Sequence, residues 1–254
     1  MSRSARVLSE SGIYHVMIRG INKQCLFEDT EDYSKFLYCI LDLKSNTDFI
    51  LYAYCLMGNH VHLLIKEGRE PLSQVIKRIG IRYVFWFNSK YERFGHLFQD
   101  RFKSEPIDSD EYFLTVLAYI YQNPKNAGLC KHAQDYEWCS LKYLGRSKIV
   151  DEAELFEVFP LYMIEDKVNE IVDSNLLEIE AETIKPISDD SVLEQIKVLG
   201  GVRSVTDFQL LDRDTQAKII YELHQKGASL RQVARLSGMG RRLVTRLCSI
   251  GYFI

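Results

Sequence analysis

The sequence predicts an α+β fold, a ferredoxin-like antiparallel sheet with packed helices, followed by a small all-α C-terminal domain. Three observations carry this expectation. Apolar spacing alternates between strand-like and helical in the order strand, helix, strand, strand, helix, strand, helix. Gly58-Asn59 sits between two apolar runs, where such a dipeptide favours a tight two-residue hairpin turn. Near the C-terminus, a short helix, a glycine-containing break and a basic helix follow one another, as in a helix-turn-helix.

Ile13 to Ile18 (IYHVMI) is β-branched and aromatic and leads into Arg19-Gly20-Ile21-Asn22, a strand followed by a turn. From Thr30 to about Ser45, Tyr33, Phe36, Leu37, Ile40, Leu41 and Leu43 recur at helical spacing. Phe49 to Met57 and His60 to Lys66 then read as adjacent antiparallel strands. After Pro71, Leu72, Val75, Ile76, Ile79, Tyr83 and Trp86 predict a long helix with Arg78 and Arg82 among its polar positions. Residues 96–107 (HLFQDRFKSEPI) read as a further strand with a basic stretch. From Ser109, the N-cap, to Tyr121 the pattern is helical, with Pro124 and Gly128 marking its end. Because residues before proline avoid the helical region, Asn123 is expected just past the regular helix.

With 254 residues, 46% hydrophobic and 26% charged, the chain has the composition of a globular protein of one large domain or a domain with an appendage. Its six cysteines lack the paired short spacing of zinc or redox motifs, so buried free thiols are expected. No apolar stretch of signal length opens the chain and none approaches the roughly 20 residues of a membrane span, which implies a cytoplasmic protein without a membrane partner. The net charge of -3 is a sum of unlike blocks. Residues 151–190 hold thirteen Asp/Glu against two Lys, whereas 191–254 hold ten Lys/Arg against five Asp/Glu, and 1–150 carry +3. The expected organisation is a first domain over 1–150, a helical or partly flexible acidic linker over 151–190 and a helix-turn-helix domain over 191–254. Basic blocks around an acidic one suit two nucleic-acid-facing modules, although ordinary charged surface gives the same tally.

On a strand, His60 and His62 project to one side while Val61, Leu63 and Ile65 enter the core on the other. Two imidazoles so placed can hold a divalent cation. A His-x-His pair in isolation is more often incidental, and only a third ligand and a nucleophile reverse that. Tyr119 and Asn123 lie four apart and share a helix face, and an Asn oxygen is a hard ligand. Spacing alone equally allows a core tyrosine and a helix-end cap.

These residues stand within a longer set of motifs: Tyr14-His15-Val16 with Arg19-Gly20-x-Asn22; Tyr54-x-Leu56-Met57-x-Asn59-His60-Val61-His62-Leu63-Leu64; Gly95-His96-Leu97-Phe98-Gln99-x-Arg101-Phe102-Lys103; Tyr119-Ile120-x-x-Asn123-Pro124-x-x-Ala127-Gly128-Leu129; and Trp138-Cys139-Ser140 with Tyr143-Leu144-Gly145. In that order, over roughly residues 12–146, they resemble the HUH superfamily of single-tyrosine insertion-sequence transposases, especially the branch associated with repetitive extragenic palindromes (REP). The resemblance implies His60 and His62 as ligands of Mg²⁺ or Mn²⁺, Asn123 as third ligand and Tyr119 as nucleophile. It also implies cleavage and rejoining of hairpin-containing single-stranded DNA through a 5′-phosphotyrosine, and a homodimer. The sequence departs at Tyr121, where many relatives have histidine, and at Cys139, where serine is usual. Tyr121 is thus a rival nucleophile, although it points roughly 200° around the helix from Tyr119.

Candidate DNA contacts are Arg19, Asn22, Arg78, Arg82, Arg101 and Lys103, interspersed with Tyr83, Trp86 and Phe102 for base stacking. For each aromatic, a core position is the simpler reading. The segment GASLRQVARLSGMGRRLVTRL is similar to the C-terminal duplex-binding domain of bacterial replication initiators. Ser229 and Gln232 read as a capping box, and Arg241, Arg242, Thr245 and Arg246 as a basic recognition face. A packing bundle is the plain alternative. For the chain, the alternatives to a transposase are a catalytically idle DNA-binding regulator and a simple metal nuclease.

Overall fold

The computed structural model describes residues 7–99, 101–170 and 187–251, without side chains for 249–251. The first part runs β1 (Ile13–Arg19), α1 (Thr30–Lys44), β2 (Ile50–Leu56), β3 (His60–Lys66), α2 (Leu72–Tyr91), β4 (Lys103–Pro106) and α3 (Asp110–Asn126). The strands form one antiparallel sheet in the order β2-β3-β1-β4, as expected of a ferredoxin-like arrangement. No helix among the described residues is long and apolar enough to cross a membrane.

Alternation along the strands splits the sheet into two apolar faces. Tyr14, Val16 and Ile18 of β1 and Val61, Leu63 and Ile65 of β3 pack with Phe36, Ile40 and Leu43 of α1 and Val75, Ile79 and Tyr83 of α2. On the opposite face, Ala53, Cys55, Met57 and Leu64 pack with Phe113, Val116, Leu117 and Ile120 of α3. A register shift between Leu51 and Ala53 lets both Tyr52 and Ala53 join this second cluster. The β2–β3 hairpin closes at Gly58-Asn59, where the Met57 N–H donates to the His60 carbonyl at 2.8 Å.

The strand expected over 96–107 is shorter than its pattern. Leu97 to Gln99 reach β1 only at its end, the Gln99 N–H donating to the Arg19 carbonyl at 2.9 Å, and the continuous ladder is confined to 103–106. Leu97 is drawn into the core between the sheet and helices α1 and α2, which turns the chain away from the ladder before it returns as edge strand β4. Pro106 is tolerated because it ends an edge strand.

Helix α3 corrects the expectation for Asn123. Ser109 caps its start, accepting from the Tyr112 N–H at 3.3 Å, but the helix continues through Pro124 to Asn126. Its end is made at Gly128, whose left-handed φ of 69° lets the Leu129 N–H reach the Pro124 carbonyl and the Gly128 N–H the Lys125 carbonyl, each at 2.9 Å. Those bonds hold the last turn together despite the proline, so Asn123 stays on the helix.

Residues expected to form a helical or partly flexible acidic linker begin with two helices, α4 (Glu152–Val158) and α5 (Leu161–Asn169), which pack against the first domain. Leu155, Phe159 and Ile164 bury against the α3 face of the sheet, so the acidic residues only coat their outer sides. The rest of that segment, 171–186, lies outside the described residues. Helices α6 (Asp189–Gly200), α7 (Val205–Leu210), α8 (Arg213–Gln225), α9 (Leu230–Ser237) and α10 (Arg241–Gly251) then enclose a separate apolar cluster. Ser229 caps α9 by accepting from the Gln232 N–H at 3.1 Å. The box is not reciprocal, because the Gln232 amide donates to Ile187 and Asp189 instead.

One carboxylate ties α1 to the end of α2. Asp32 accepts from the Glu28 and Asp29 N–H groups, from Lys90 Nζ at 2.7 Å and from the Tyr91 hydroxyl at 2.8 Å. Its side chain is fully buried, whereas Glu31, which also meets Lys90, is 69% exposed. Urea unfolding of Asp32→Ala is therefore expected to show a loss of about 3 kcal/mol, as for breaking a buried pair. Glu31→Ala should cost under about 1 kcal/mol. Equal losses would contradict this assignment.

Candidate active site

The α3-facing side of the sheet becomes polar at its β1–β3 centre. The register sets Arg19 opposite His60, Met17 opposite His62 and His15 opposite Leu64, so His15, His60 and His62 all point toward α3. All three imidazoles are buried. From α3, Tyr119 comes within 5.7 Å of His62 and 5.8 Å of His15, ring centre to ring centre. Asn123, one turn later, places its amide 3.5 Å from His62 Nε2. The structure thus brings together the four residues expected from spacing, His60, His62, Tyr119 and Asn123.

Two further residues orient the pair. His60 Nδ1–H donates to Asn59 Oδ1 at 2.7 Å, which leaves His60 Nε2 as a lone pair, buried and without a hydrogen-bond partner. His62 Nδ1 lies 2.9 Å from His15 Nε2, a contact that turns His62 Nε2 toward Asn123. His15 and Asn59 belong to the motifs but were not expected to act. His15 meets His62 only across the strand pairing, and the sole signal for it is its place on the same sheet face.

Electrostatics keep these imidazoles neutral, the form that binds metal. Burial pushes His62 down to about 3. Burial and the neighbouring His62 lower His15 and His60, and Arg19 adds to the effect on His60. Burial likewise raises the Tyr119 hydroxyl, opposed in part by a hydrogen bond from Asn123. Tyr121 is fully buried on another side of α3, beside Tyr54 and Cys139. Two imidazole nitrogens and an amide are a fitting donor set for a divalent ion, and the orphaned His60 Nε2 is the atom such an ion would satisfy.

The expected DNA contacts separate. Arg19 stands beside His60, Lys103 is exposed on the same sheet face, and Asn22 and Arg101 are exposed nearby in sequence. Asn22 occupies a left-handed turn (φ 51°) after Gly20, where an added Cβ would meet the Gln24 carbonyl oxygen at 2.2 Å. Arg78 and Arg82 instead lie on α2, across the sheet from the histidines, paired with Glu70 and Asp42. Tyr83 is core, and Trp86 packs against the same cluster, so neither offers a free stacking face.

Residues 9–123 match the family described as Transposase IS200 like. The chain carries a transposase domain of this family. A solved structure, described as "Structure of the REP associates tyrosine transposase bound to a REP hairpin", shares its fold with TM-score 0.51 and 18% identity, covering 59% of this chain and 94% of that one. No curated protein sequence matches the chain. Within the transposase domain, the matched region ends at Asn123, so it spans the histidine pair and Tyr119.

The helix-turn-helix face expected on α10 is divided. Arg241 lies 4.6 Å over the Tyr91 ring and 3.5 Å from Asp29, and Arg242 pairs with Glu92 at 2.8 Å. Thr245, expected on the recognition face, is buried, because this side of α10 packs toward the end of α2; Arg246 is exposed.

If His15 and Asn59 hold the ligand imidazoles in place, His15→Ala and Asn59→Ala should each weaken Mn²⁺ binding about 10- to 100-fold with the fold intact. Calorimetric titration measures this, and unchanged affinity in both variants would remove them from the site.

Proposed function

We propose that this transposase cleaves and rejoins single-stranded DNA through a 5′-phosphotyrosine on Tyr119, at a divalent metal site made by His60, His62 and Asn123. The observation that carries the reading is the convergence of Tyr119 and Asn123 on two buried, neutral histidines, one with an unsatisfied Nε2. A Mg²⁺ or Mn²⁺ ion held there would polarise a non-bridging oxygen of the scissile phosphate. Asn59 and His15 fix the ring orientations, and Arg19 adds positive charge beside His60.

Tyr119 Oη attacks phosphorus, the phosphotyrosine bond forms, and the bond to the 3′ oxygen breaks. The hydroxyl proton is lost as the 3′-hydroxyl is released protonated, so the step balances without water or ATP. Because the phosphodiester is exchanged rather than hydrolysed, another 3′-end can reverse it. Tyr119, His62 and Asn123 meet within one chain, which supports action of Tyr119 in cis.

The solved relative is described as bound to a REP hairpin. A hairpin-containing single strand is accordingly the proposed substrate, with Arg19, Asn22, Arg101 and Lys103 as its contacts near the site. Arg78 and Arg82 are not retained at the cleavage site, since α2 lies behind the sheet. Duplex binding through the C-terminal module is a second proposed contact, limited by the burial of Thr245 and the engagement of Arg241. The same limitation weakens the alternative of an idle regulator. The expected setting is the cytoplasm, on the nucleoid when DNA is bound.

Incubation with Mn²⁺ and hairpin single-stranded DNA should give an adduct that survives denaturation. Tyr119→Phe is expected to abolish it, Tyr121→Phe to retain it, and His60→Ala or His62→Ala to reduce its rate at least about 100-fold. An adduct in Tyr119→Phe that disappears in Tyr121→Phe would reassign the nucleophile. Multiple-turnover cleavage without any adduct would identify a metal nuclease.

A further inference from the structure

A second group of ligand-type side chains lies where the transposase domain meets the C-terminal helices, remote from the histidine pair in sequence. Cys25 and Glu28 come from the connection between β1 and α1, and His224 from the last turn of α8. Their candidate donor atoms all lie within 4.8 Å of one another. His224 Nε2 and Glu28 Oε1 are 3.6 Å apart, with side chains only 6% and 2% exposed. That separation is too long for a hydrogen bond. It is close to the spacing of about 3.3 Å between neighbouring donors bound at about 2.0 Å in a tetrahedral site.

The remaining atoms are arranged as supports. His224 Nδ1–H donates to the Ala228 carbonyl at 2.8 Å, which leaves Nε2 as the lone pair facing Glu28. Glu28 Oε2 accepts from the Leu230 N–H at 2.9 Å, holding Oε1 toward His224. Arg93, whose charge acts on Glu28, donates to Gln24 Oε1 at 2.8 Å. A cavity of about 320 Å³ lined by Glu28, Arg93, His224 and Cys248 leads to the group, and buried Cys248 is near enough to act on the Cys25 thiol. Burial raises both the Cys25 thiol and the Glu28 carboxyl, as expected of groups that become anionic only when a cation compensates them.

We propose that Cys25, Glu28 and His224 form a zinc-class metal site, with Cys248 or water in the fourth position, that fastens the C-terminal helices to the transposase domain. Thiolate, imidazole and carboxylate together select zinc over the Mg²⁺ or Mn²⁺ assigned to His60, His62 and Asn123. On binding, Cys25 Sγ loses its proton to solvent and the metal–sulfur bond forms, with no change of oxidation state. The ion joins residues about 200 positions apart in sequence, so it constrains how α10 presents Arg242 and Arg246.

The test uses the full chain loaded with Co²⁺ in place of zinc. Wild type should show a thiolate-to-cobalt charge-transfer band and the strong visible absorption of a tetrahedral site. The His60→Ala/His62→Ala variant should keep both, which separates this site from the proposed catalytic one. Cys25→Ser and His224→Gln should each lose the charge-transfer band or the tetrahedral absorption. After dialysis against a chelator of moderate strength, about one zinc per chain should remain in wild type and none in these two variants. Absence of the band in wild type, or persistence of both the band and the tetrahedral absorption in Cys25→Ser, overturns the proposal. Should one variant fail to fold, the other together with the wild-type spectrum still decides it.

Discussion

The pairing of β1 with β3 governs everything placed at the site. With Arg19 opposite His60 and Met17 opposite His62, alternation sends Tyr14, Val16 and Ile18 into one core and His15 toward α3. A slip of one residue would exchange these faces, burying His15 among Phe36 and Ile79 and turning Val16 toward Tyr119. The large apolar cluster against α1 and α2 therefore fixes the polar constellation behind the sheet. Energetically the arrangement is consistent: three buried imidazoles are tolerable only when neutral, and burial itself holds them so. A site that is already neutral meets a cation without first releasing protons from its histidines.

Helix α3 supplies the other half, and its usefulness depends on continuing through Pro124. Had it ended where proline normally stops a helix, Asn123 would have left the face it shares with Tyr119. The glycine at 128 allows the terminal carbonyls of Pro124 and Lys125 to be satisfied, and the helix survives one residue without an N–H. Tyr119 and Asn123 are then positioned by a rigid element packed through Phe113, Val116, Leu117 and Ile120. The same packing sends Tyr121 to Tyr54 and Cys139, so the two tyrosines are sorted by helix geometry before any chemistry is considered.

Much of this was legible in the sequence because it rests on local periodicity. The hairpin, the three long helices, the His60/His62 face and the Tyr119/Asn123 spacing follow from periods of 2 and 3.6. What stayed illegible depends on which element lies beside which. His15 reaches His62 only through strand register. Arg78 and Arg82 look like DNA contacts on a polar helix stripe, yet periodicity does not say on which side of the sheet α2 lies. Leu155, Phe159 and Ile164 are hidden among acidic residues, since the charge of a block is blind to burial, which is decided by one face. Pro124 misled for a different reason: its local preference was overridden by tertiary packing and a glycine cap.

The C-terminal helices show why block charge is a weak guide to partners. Residues 191–254 carry a surplus of positive charge, but part of it is spent within the chain. Arg241 stacks on Tyr91 close to Asp29, an arrangement that desolvates the guanidinium and resists exchange. Arg242 differs: its side chain is 86% exposed although it pairs with Glu92, and such a surface pair contributes little. A phosphate could replace Glu92 there at small cost, whereas reaching Thr245 or Arg241 would require α10 to part from the transposase domain. The basic surface that α10 leaves exposed is thus narrower than the helix-turn-helix pattern implies, centred on Arg242 and Arg246 and set by what α10 rests against.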